Sequence, residues 1–436
     1  SSNTAYGQGS LRTNTTASNN TAVGKDALKL NTTGAYNDAF GSGALESNTT
    51  ASANAAFGYK ALEANTTGSE NVAVGFEALH KNTTGDRNIS VGTEALFNNT
   101  TGSNNTGIGD NALLSNTTGA KNVAMGRSAL YSNTTASDNT ALGDSALESN
   151  TTGASNAAVG KSALKINTTE TYNTSIGAYS LDANTTASYN TGLGYGTLSS
   201  NTTGWGNTAA GYLAGSNITT AWGCTTIGND SGKHITTGED NTCVGHNSGS
   251  SITTGNRNAL IGVSAGDVIT TGPNNIVIGF SADTSGGSAN SQIVIGTSLT
   301  GKGNSTAFIG GSLGAYNGAN GTAWTTTSDE RIKKNIVNNN SGLNILNQIQ
   351  IRNFEYKTKE EIIEDNSELT DVIESAVIEK EGLQLGVIAQ ELEKVLPDCV
   401  KTQSTGIKTV DSDNLTWYLI NAVKELSAKV TALEAK

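Results

Sequence analysis

The chain has 436 residues, of which 15% are charged and 5% aromatic, with 52 glycines, two prolines and a formal net charge of −12 at pH 7. The acidic balance argues against nucleic-acid binding, and the absence of an 18-residue apolar run argues against membrane insertion. Large apolar side chains are too few for a conventional core of three hundred residues.

Residues 1–300 consist of a 17-residue repeat that is marked by one glycine per unit. The marker recurs without insertion or deletion through 18 units, from Gly7, Gly24 and Gly41 to Gly296. A strict short period argues against disorder, and it indicates units that cannot bury their apolar side alone and must stack on their neighbours. We therefore expect residues 1–300 to form one continuous repeat domain, a shaft.

One unit, Asn20–Tyr36, reads NTAVGKDALKLNTTGAY. A bulky apolar residue precedes the marker glycine, an alanine usually precedes that residue, and a leucine follows four positions after the glycine. Glycine, asparagine and threonine weaken helices and suit tight turns. The pattern predicts a mainly β fold, a β-solenoid with one coil per unit, about 4.8 Å of rise per coil and a rod on the order of 80 Å long. We expect both bulky columns to form internal ladders.

Asparagine also recurs, four residues before the marker, from Asn3 to Asn207. Stacked at one coil position, these side chains would form an amide ladder. The recurring Asn-Thr-Thr triplet has two interpretations, a structural turn or an N-glycosylation acceptor. We favour the turn, because a glycan on every coil would crowd its neighbours.

The stretches NTAVG (Asn20–Gly24), NVAVG (Asn71–Gly75) and NIVIG (Asn275–Gly279) resemble the head repeats of trimeric autotransporter adhesins. The resemblance implies a β-roll that is wound in parallel with two other copies into a homotrimer. The period of 17 is longer than the commonest one of that family, so strand boundaries are not carried over.

Near residue 211 the repeat changes its apolar residues. Glycine replaces the leucine after the marker, and isoleucine replaces an asparagine three positions later, as in Gly215 with Ile218 and Gly232 with Ile235. This joint exchange predicts that apolar bulk moves to another corner of the coil and changes its cross-section. From about residue 301 the period fails, and residues 301–327 are predicted to be a turn-rich junction.

Residues 328–436 hold half of the Asp, Glu, Lys and Arg residues of the chain and show helical periodicity, which indicates a second domain. Three motifs occur in order: SDERIKKNI (Ser328–Ile336), ILNQIQIRNFEYK (Ile345–Lys357) and GVIAQELEKVLPDCV (Gly386–Val400). With the final segment Thr409–Lys436, they look like the intramolecular chaperone domain of phage tail fibres and tailspikes, the S74 peptidase family. The resemblance implies a small α+β domain that trimerises a β-rich fibre and then cuts itself off.

Carried over by position, Ser328 matches the nucleophile of that family and Lys333 its partner lysine, so the scissile bond is Thr327–Ser328. Lysine serves as a base if burial or nearby cations such as Lys334 lower its pKa. Whether Ser328 attacks its own preceding carbonyl or one presented by another copy stays open. The structural alternative for Ser328 and Asp329 is a helix cap or turn.

The final segment carries apolar residues at steps of four and three, a heptad seam. Three copies would bury this seam together in a coiled coil, whereas the alternative is a helix packed on its own domain. The seam residues are Leu419, Val423, Leu426, Val430 and Leu433.

Together these features predict a trimeric fibre or spike, such as a viral tail fibre that attaches to a host receptor or glycan, located on a virion or a cell surface. A domain that trimerises first would remove the register ambiguity of identical repeats. Alternatives are a bacterial surface trimeric adhesin with the same chaperone, and a glycan-degrading tailspike, which needs paired carboxylates in a cleft. We expect no cofactor, no metal and no external substrate.

Overall fold

The structure, a computed structural model, describes residues 2–310, 315–317, 333–358, 360–362, 382–402 and 408–435. The chain divides into two compact units, Ser1–Thr327 and Ser328–Lys436. Within the described ranges, none of the helices has the length and apolar character required to cross a membrane.

The first unit is a β-solenoid of about 18 turns, built from three-residue strands with one strand per repeat. Each strand pairs in parallel with the strand one repeat later, as in Ala22 with Ala39 and Ala141 with Ala158. A last strand, β20, pairs antiparallel with β19. The strands are β1 Thr4–Tyr6, β2 Thr21–Val23, β3 Asp38–Phe40, β4 Ala55–Phe57, β5 Val72–Val74, β6 Ile89–Val91, β7 Thr106–Ile108, β8 Val123–Met125, β9 Thr140–Leu142, β10 Ala157–Val159, β11 Thr174–Ile176, β12 Thr191–Leu193, β13 Thr208–Ala210, β14 Thr225–Ile227, β15 Thr242–Val244, β16 Ala259–Ile261, β17 Ile276–Ile278, β18 Ile293–Ile295, β19 Ala307–Ile309 and β20 Ala315–Asn317.

From β2 to β19, the middle residue of each strand points into the coil and its two neighbours point outward. Ala124 is fully buried in β8, whereas Met125, directly before the marker glycine, is 43% exposed. Strand side chains alternate between faces, so burying the alanine turns the bulky residue out. The prediction that this bulky column is internal is therefore wrong, while the leucine column, such as Leu130, is fully buried as expected.

The interior is filled from two different corners on either side of residue 211. Leucines from Leu11 to Leu198 point inward from a left-handed backbone with φ of 47–54°, a conformation that costs a non-glycine residue roughly 1–2 kcal/mol. After residue 211 this position is Gly215, and the Cδ1 atom of Ile218 lies 3.0 Å from where a Cβ atom on Gly215 would be. The isoleucine side chain thus extends from a second corner of the coil and fills the space next to the position that leucine occupies in the earlier coils. Strand pairing continues in register from β12 through β14, so only the attachment point of the apolar side chain moves.

Two buried asparagine columns connect successive coils as far as about residue 207, which confirms the predicted amide ladder. The backbone N–H of Asn37 donates to Oδ1 of Asn20 at 2.9 Å, and Nδ2 of Asn20 donates to the carbonyl of Gly34. In the second column, Nδ2 of Asn31 donates to Oδ1 of Asn14 and to the same Gly34 carbonyl. Asn31 opens an Asn-Thr-Thr triplet and is fully buried, so the folded coil presents no amide for glycosylation.

The marker glycines have φ between +128° and +147° and lie against the backbone of the next coil. A Cβ atom on Gly143 would be 2.5 Å from the carbonyl oxygen of Gly160. Both the dihedral angle and the contact therefore require glycine here. This double requirement explains why the marker never varies.

We predict that Gly143→Ala lowers the free energy of unfolding of the solenoid by roughly 3–5 kcal/mol, because strain and a backbone clash add. Gly303→Ala is the matched control, since Gly303 has a φ of +128° but nothing within 4 Å of a built Cβ. The control should lose only about 1–2 kcal/mol. Chemical denaturation followed by far-ultraviolet circular dichroism measures both, and equal losses would contradict the clash.

The stacking continues past residue 300, since β19 pairs with β18 after a shortened unit of 14 residues. In the preceding coils, Cys224 and Cys243 are free and buried. Half-buried Asp283 lies close to Asp267. Burial, and then repulsion from Asp267, raises the pKa of Asp283 from 3.8 to about 6.

We predict a pH-dependent stability from this carboxyl group. Because the folded pKa of Asp283 lies above its unfolded value, the folded chain holds the proton more tightly, and stability falls as the pH rises from about 4 to about 6. Asp283→Asn should remove this loss and raise the denaturation midpoint above pH 6. The difference in midpoint between variant and wild type, measured from pH 4 to 8, should grow up to about pH 6 and then level off. A difference that does not change with pH would refute the assignment.

The second unit is a small α+β domain in its described parts. Its core contains Leu392, Leu396 and Cys399, all nearly or fully buried. Two antiparallel strand pairs, β21 with β22 and β23 with β24, lie beside three helices and one 3-10 turn. These elements are α1 Leu343–Leu346, β21 Arg352–Phe354, β22 Gln384–Gly386, α2 Ala389–Leu392, the 3-10 turn Pro397–Cys399, β23 Val400–Thr402, β24 Lys408–Val410 and α3 Ser412–Glu434.

Candidate assembly and self-cleavage site

The predicted nucleophile Ser328 and the predicted scissile bond after Thr327 lie outside the described residues. The predicted base, Lys333, is described, and its side chain is exposed on the single chain, as is that of Lys334. A lysine acts as a base when its surroundings favour the neutral amine, and burial is one such influence. The described part of one chain does not supply that burial.

The segment after Lys333 is held against helix α3. The side-chain amide of Asn421 donates to the carbonyl of Asn339 at 2.8 Å, and the backbone N–H of Leu343 donates to Oε2 of Glu425 at 3.1 Å. A Cβ atom on Gly342 would lie 2.6 Å from the backbone nitrogen of Ala422, so glycine lets α1 touch the helix. The residues that follow the predicted base are therefore fixed to the helix with the predicted seam.

Helix α3 uses one face for its own domain and leaves the predicted seam exposed. Leu415 and Tyr418 pack on the domain core, Ala422 is buried, and the Tyr418 hydroxyl donates to Asp398 at 2.8 Å. This bond to a carboxylate raises the pKa of Tyr418. The seam lies on the adjacent face, so packing on the described residues of its own domain does not account for it. The seam residues are 44–70% exposed: Leu419, Val423, Leu426, Val430 and Leu433.

The end of α3 contacts nothing else among the described residues closely enough to bury a side chain. Every residue from Leu426 to Ala435 is exposed. This helix end gains little stability from its hydrogen bonds alone, because most helical stability in proteins comes from packing of an apolar face. Apolar contacts beyond those of the described residues would stabilise this helix end.

A second apolar surface runs along the solenoid, and we call it the outward column: the bulky residue before each marker glycine. Phe40 and Phe57 stack within it with ring centroids 4.9 Å apart, and Ile176 and Ile261 are 46% and 44% exposed. An exposed apolar surface of this length is typical of interaction sites. Sequence reasoning placed these residues inside; alternation about the buried alanine was the signal that could have placed them outside.

Comparison with known proteins identified a similarity in one part of the chain. No curated protein and no solved structure matched the chain. Residues 328–401 match the family model of the S74 peptidases, described as the chaperone of endosialidase. This segment contains both Ser328 and Lys333, and it is the part of the chain that is similar to a chaperone of endosialidase.

Proposed function

We propose that this chain is the shaft and C-terminal assembly domain of a homotrimeric fibre or spike, with a viral tail fibre that attaches to a host surface as its most specific form. The C-terminal domain brings three copies together and aligns them, and the solenoids then associate along their outward columns. A bacterial surface adhesin would use the same assembly.

The observation that carries the proposal is the helix end that is exposed on every side and bears a heptad stripe. Burying the stripe between copies would supply the contacts that one chain lacks. The similarity of residues 328–401 to a chaperone of endosialidase supports the same role. The outward column offers a second surface for the same partner.

The charges beside the seam favour a parallel arrangement. In heptad terms, Val423 and Val430 occupy a positions, Lys429 a g position and Glu434 the following e position. Parallel copies pair Lys429 with Glu434 across the seam, whereas antiparallel copies would bring like charges together. In an isolated coiled coil, valine at a with leucine at d favours two helices rather than three. In this proposal, the rest of the chain therefore determines that three copies assemble.

Self-cleavage completes the proposal. The Ser328 hydroxyl attacks the carbonyl carbon of Thr327, Lys333 takes the hydroxyl proton, and the proton passes to the departing Ser328 nitrogen. Water then hydrolyses the ester and leaves a Thr327 carboxylate and a fragment that begins at Ser328. Lys333 is exposed among the described residues of one chain, so in this proposal neighbouring copies complete its environment and cutting follows assembly.

Native mass spectrometry of the purified chain tests the stoichiometry. The expected species has three times the chain mass of 44.5 kDa, or three shafts of residues 1–327 after cutting. A dimer would mean that the helix alone sets the number of copies, and a monomer at micromolar concentration would refute the assembly.

A further inference from the structure

Two tryptophans interrupt an otherwise polar edge of the solenoid. Trp205 and Trp222 lie six residues before their marker glycines, where other coils carry mostly serine, alanine or a charged residue. Their rings stack with centroids 5.3 Å apart and planes within 2°, and Trp205 is 54% exposed. Trp222 is half-buried, and neither tryptophan belongs to the buried core.

The position after each tryptophan is glycine, which opens a gap in the next column of side chains. In that column Tyr172 and Tyr189 stack at 5.5 Å, which shows that successive residues there normally cover one another. The next two members are Gly206 and Gly223, and nothing lies within 4 Å of a Cβ atom built on Gly206. One face of Tyr189, which is 63% exposed, therefore lacks its covering side chain.

These residues line one stretch of the solenoid surface around the gap, which we call the tryptophan trough: Tyr189, Trp205, Gly206, Trp222, Gly223 and Asp240. Oδ1 of Asp240 closes its far end, 2.6 Å from where a Cβ atom on Gly223 would be. From Tyr189 to Asp240 is three coil rises, roughly 14 Å. The floor is rigid backbone, since the N–H groups of Gly206 and Gly223 donate to the carbonyls of the preceding coils.

The chemistry of the trough selects its occupant. An aromatic face, an indole wall and a carboxylate acceptor suit a ring with apolar C–H faces and hydroxyl groups at its edge. No lysine or arginine occupies either column between Lys121 and Arg257, so an anionic ligand would find no counter-charge. We propose that the tryptophan trough binds a neutral pyranose unit of a surface glycan. This inference rests on the proposed attachment function and names its ligand class.

Saturation-transfer-difference NMR with the full chain tests the proposal. The probes are maltotriose, cellotriose, chitotriose, mannotriose and, as the anionic comparison, sialyllactose. At least one neutral trisaccharide should bind and sialyllactose should not. Binding of sialyllactose alone, or of none of the five, would overturn the proposal.

Variants then locate the site. Trp205→Ala and Tyr189→Ala should each weaken binding at least tenfold. Gly206→Asn should do the same by filling the gap, and it should fold, because Asn19 and Asn104 adopt the same left-handed conformation in this column. Tyr36→Ala is the matched control, since Tyr36 is an exposed tyrosine at the same coil position with no tryptophan beside it, and its affinity should be unchanged. Equal affinity in all four variants would place the sugar elsewhere.

Native mass spectrometry of the same samples separates this inference from the assembly proposal. Trimeric variants that no longer bind sugar would support both. If Trp205→Ala instead dissociates the trimer, the trough is a contact between copies and the glycan inference fails. Sugar binding by a chain that is not trimeric would refute the assembly alone.

Discussion

Val430→Asp is expected to leave the chain unable to form trimers at micromolar concentration. The substitution would place three carboxylates in a seam whose burial is proposed to hold the copies together. Burying an unpaired charge costs several kcal/mol, which corresponds to a loss of roughly a thousandfold or more in association. Sedimentation velocity would measure the result, in a Ser328→Ala background that keeps the helix attached.

Ala428→Asp is the matched control for the seam. Ala428 is exposed on the same helix and lies on the opposite face from Val430, so the new charge is the same while the seam stays apolar. The control loses more helix propensity than Val430→Asp does, because alanine is the better helix former, so its assembly would be a stringent comparison. The control should assemble like the parent chain. A Val430→Asp chain that trimerises as well as the control would mean that α3 is not the assembly surface.

Ser328→Ala is expected to abolish self-cleavage, with a fall in rate of roughly a thousandfold or more, because no other group at that position can accept the acyl chain. Intact-mass measurement over days would show only the full-length chain, whereas wild type should yield a fragment that begins at Ser328. The variant should still trimerise, since alignment of the copies does not use the hydroxyl group.

Lys333→Arg tests the base separately from its charge. Arginine keeps the positive charge but holds its proton too strongly to act as a base, so cutting should stop. Lys334→Arg is the control and should still cut. Cleavage by Ser328→Ala would mean that the nucleophile is wrong, and a folded wild type that never cuts would mean that the domain only assists assembly.

The sequence predicted the parallel solenoid and its amide ladder, because each coil position is sampled many times and the average over repeats is sharp. It did not predict that residues such as Met125 and Ile176 face outward. A core residue and an exposed residue of an interaction surface are equally apolar, so hydrophobicity alone cannot distinguish them. The alternation of the three-residue strand was decisive, and it becomes visible only once the strand boundaries are known.

The tryptophan trough was not predicted from the sequence, again because the prediction needs structural information that the repeat pattern lacks. Trp205-Gly206 and Trp222-Gly223 stand one repeat apart, and that spacing was readable. Its meaning depends on which columns lie side by side, which the repeat length alone does not fix. The distance between Ser328 and Lys333 is harder still to predict from the sequence. In the proposed assembly, residues of other copies contribute to the surroundings of this pair.

The two asparagine columns have a consequence for how such a chain can evolve. Each coil presents to the next the donors and acceptors that it received from the one before, as Asn20, Asn37 and Asn54 do in succession. A duplication or deletion of one whole repeat in the first two hundred residues therefore recreates the backbone bonds and the asparagine bonds between coils. The gene can lengthen or shorten the solenoid in steps of about 4.8 Å without first passing through an unstable intermediate. Unequal recombination between near-identical repeats would generate such length variants, and natural selection could then act on the reach of the molecule alone.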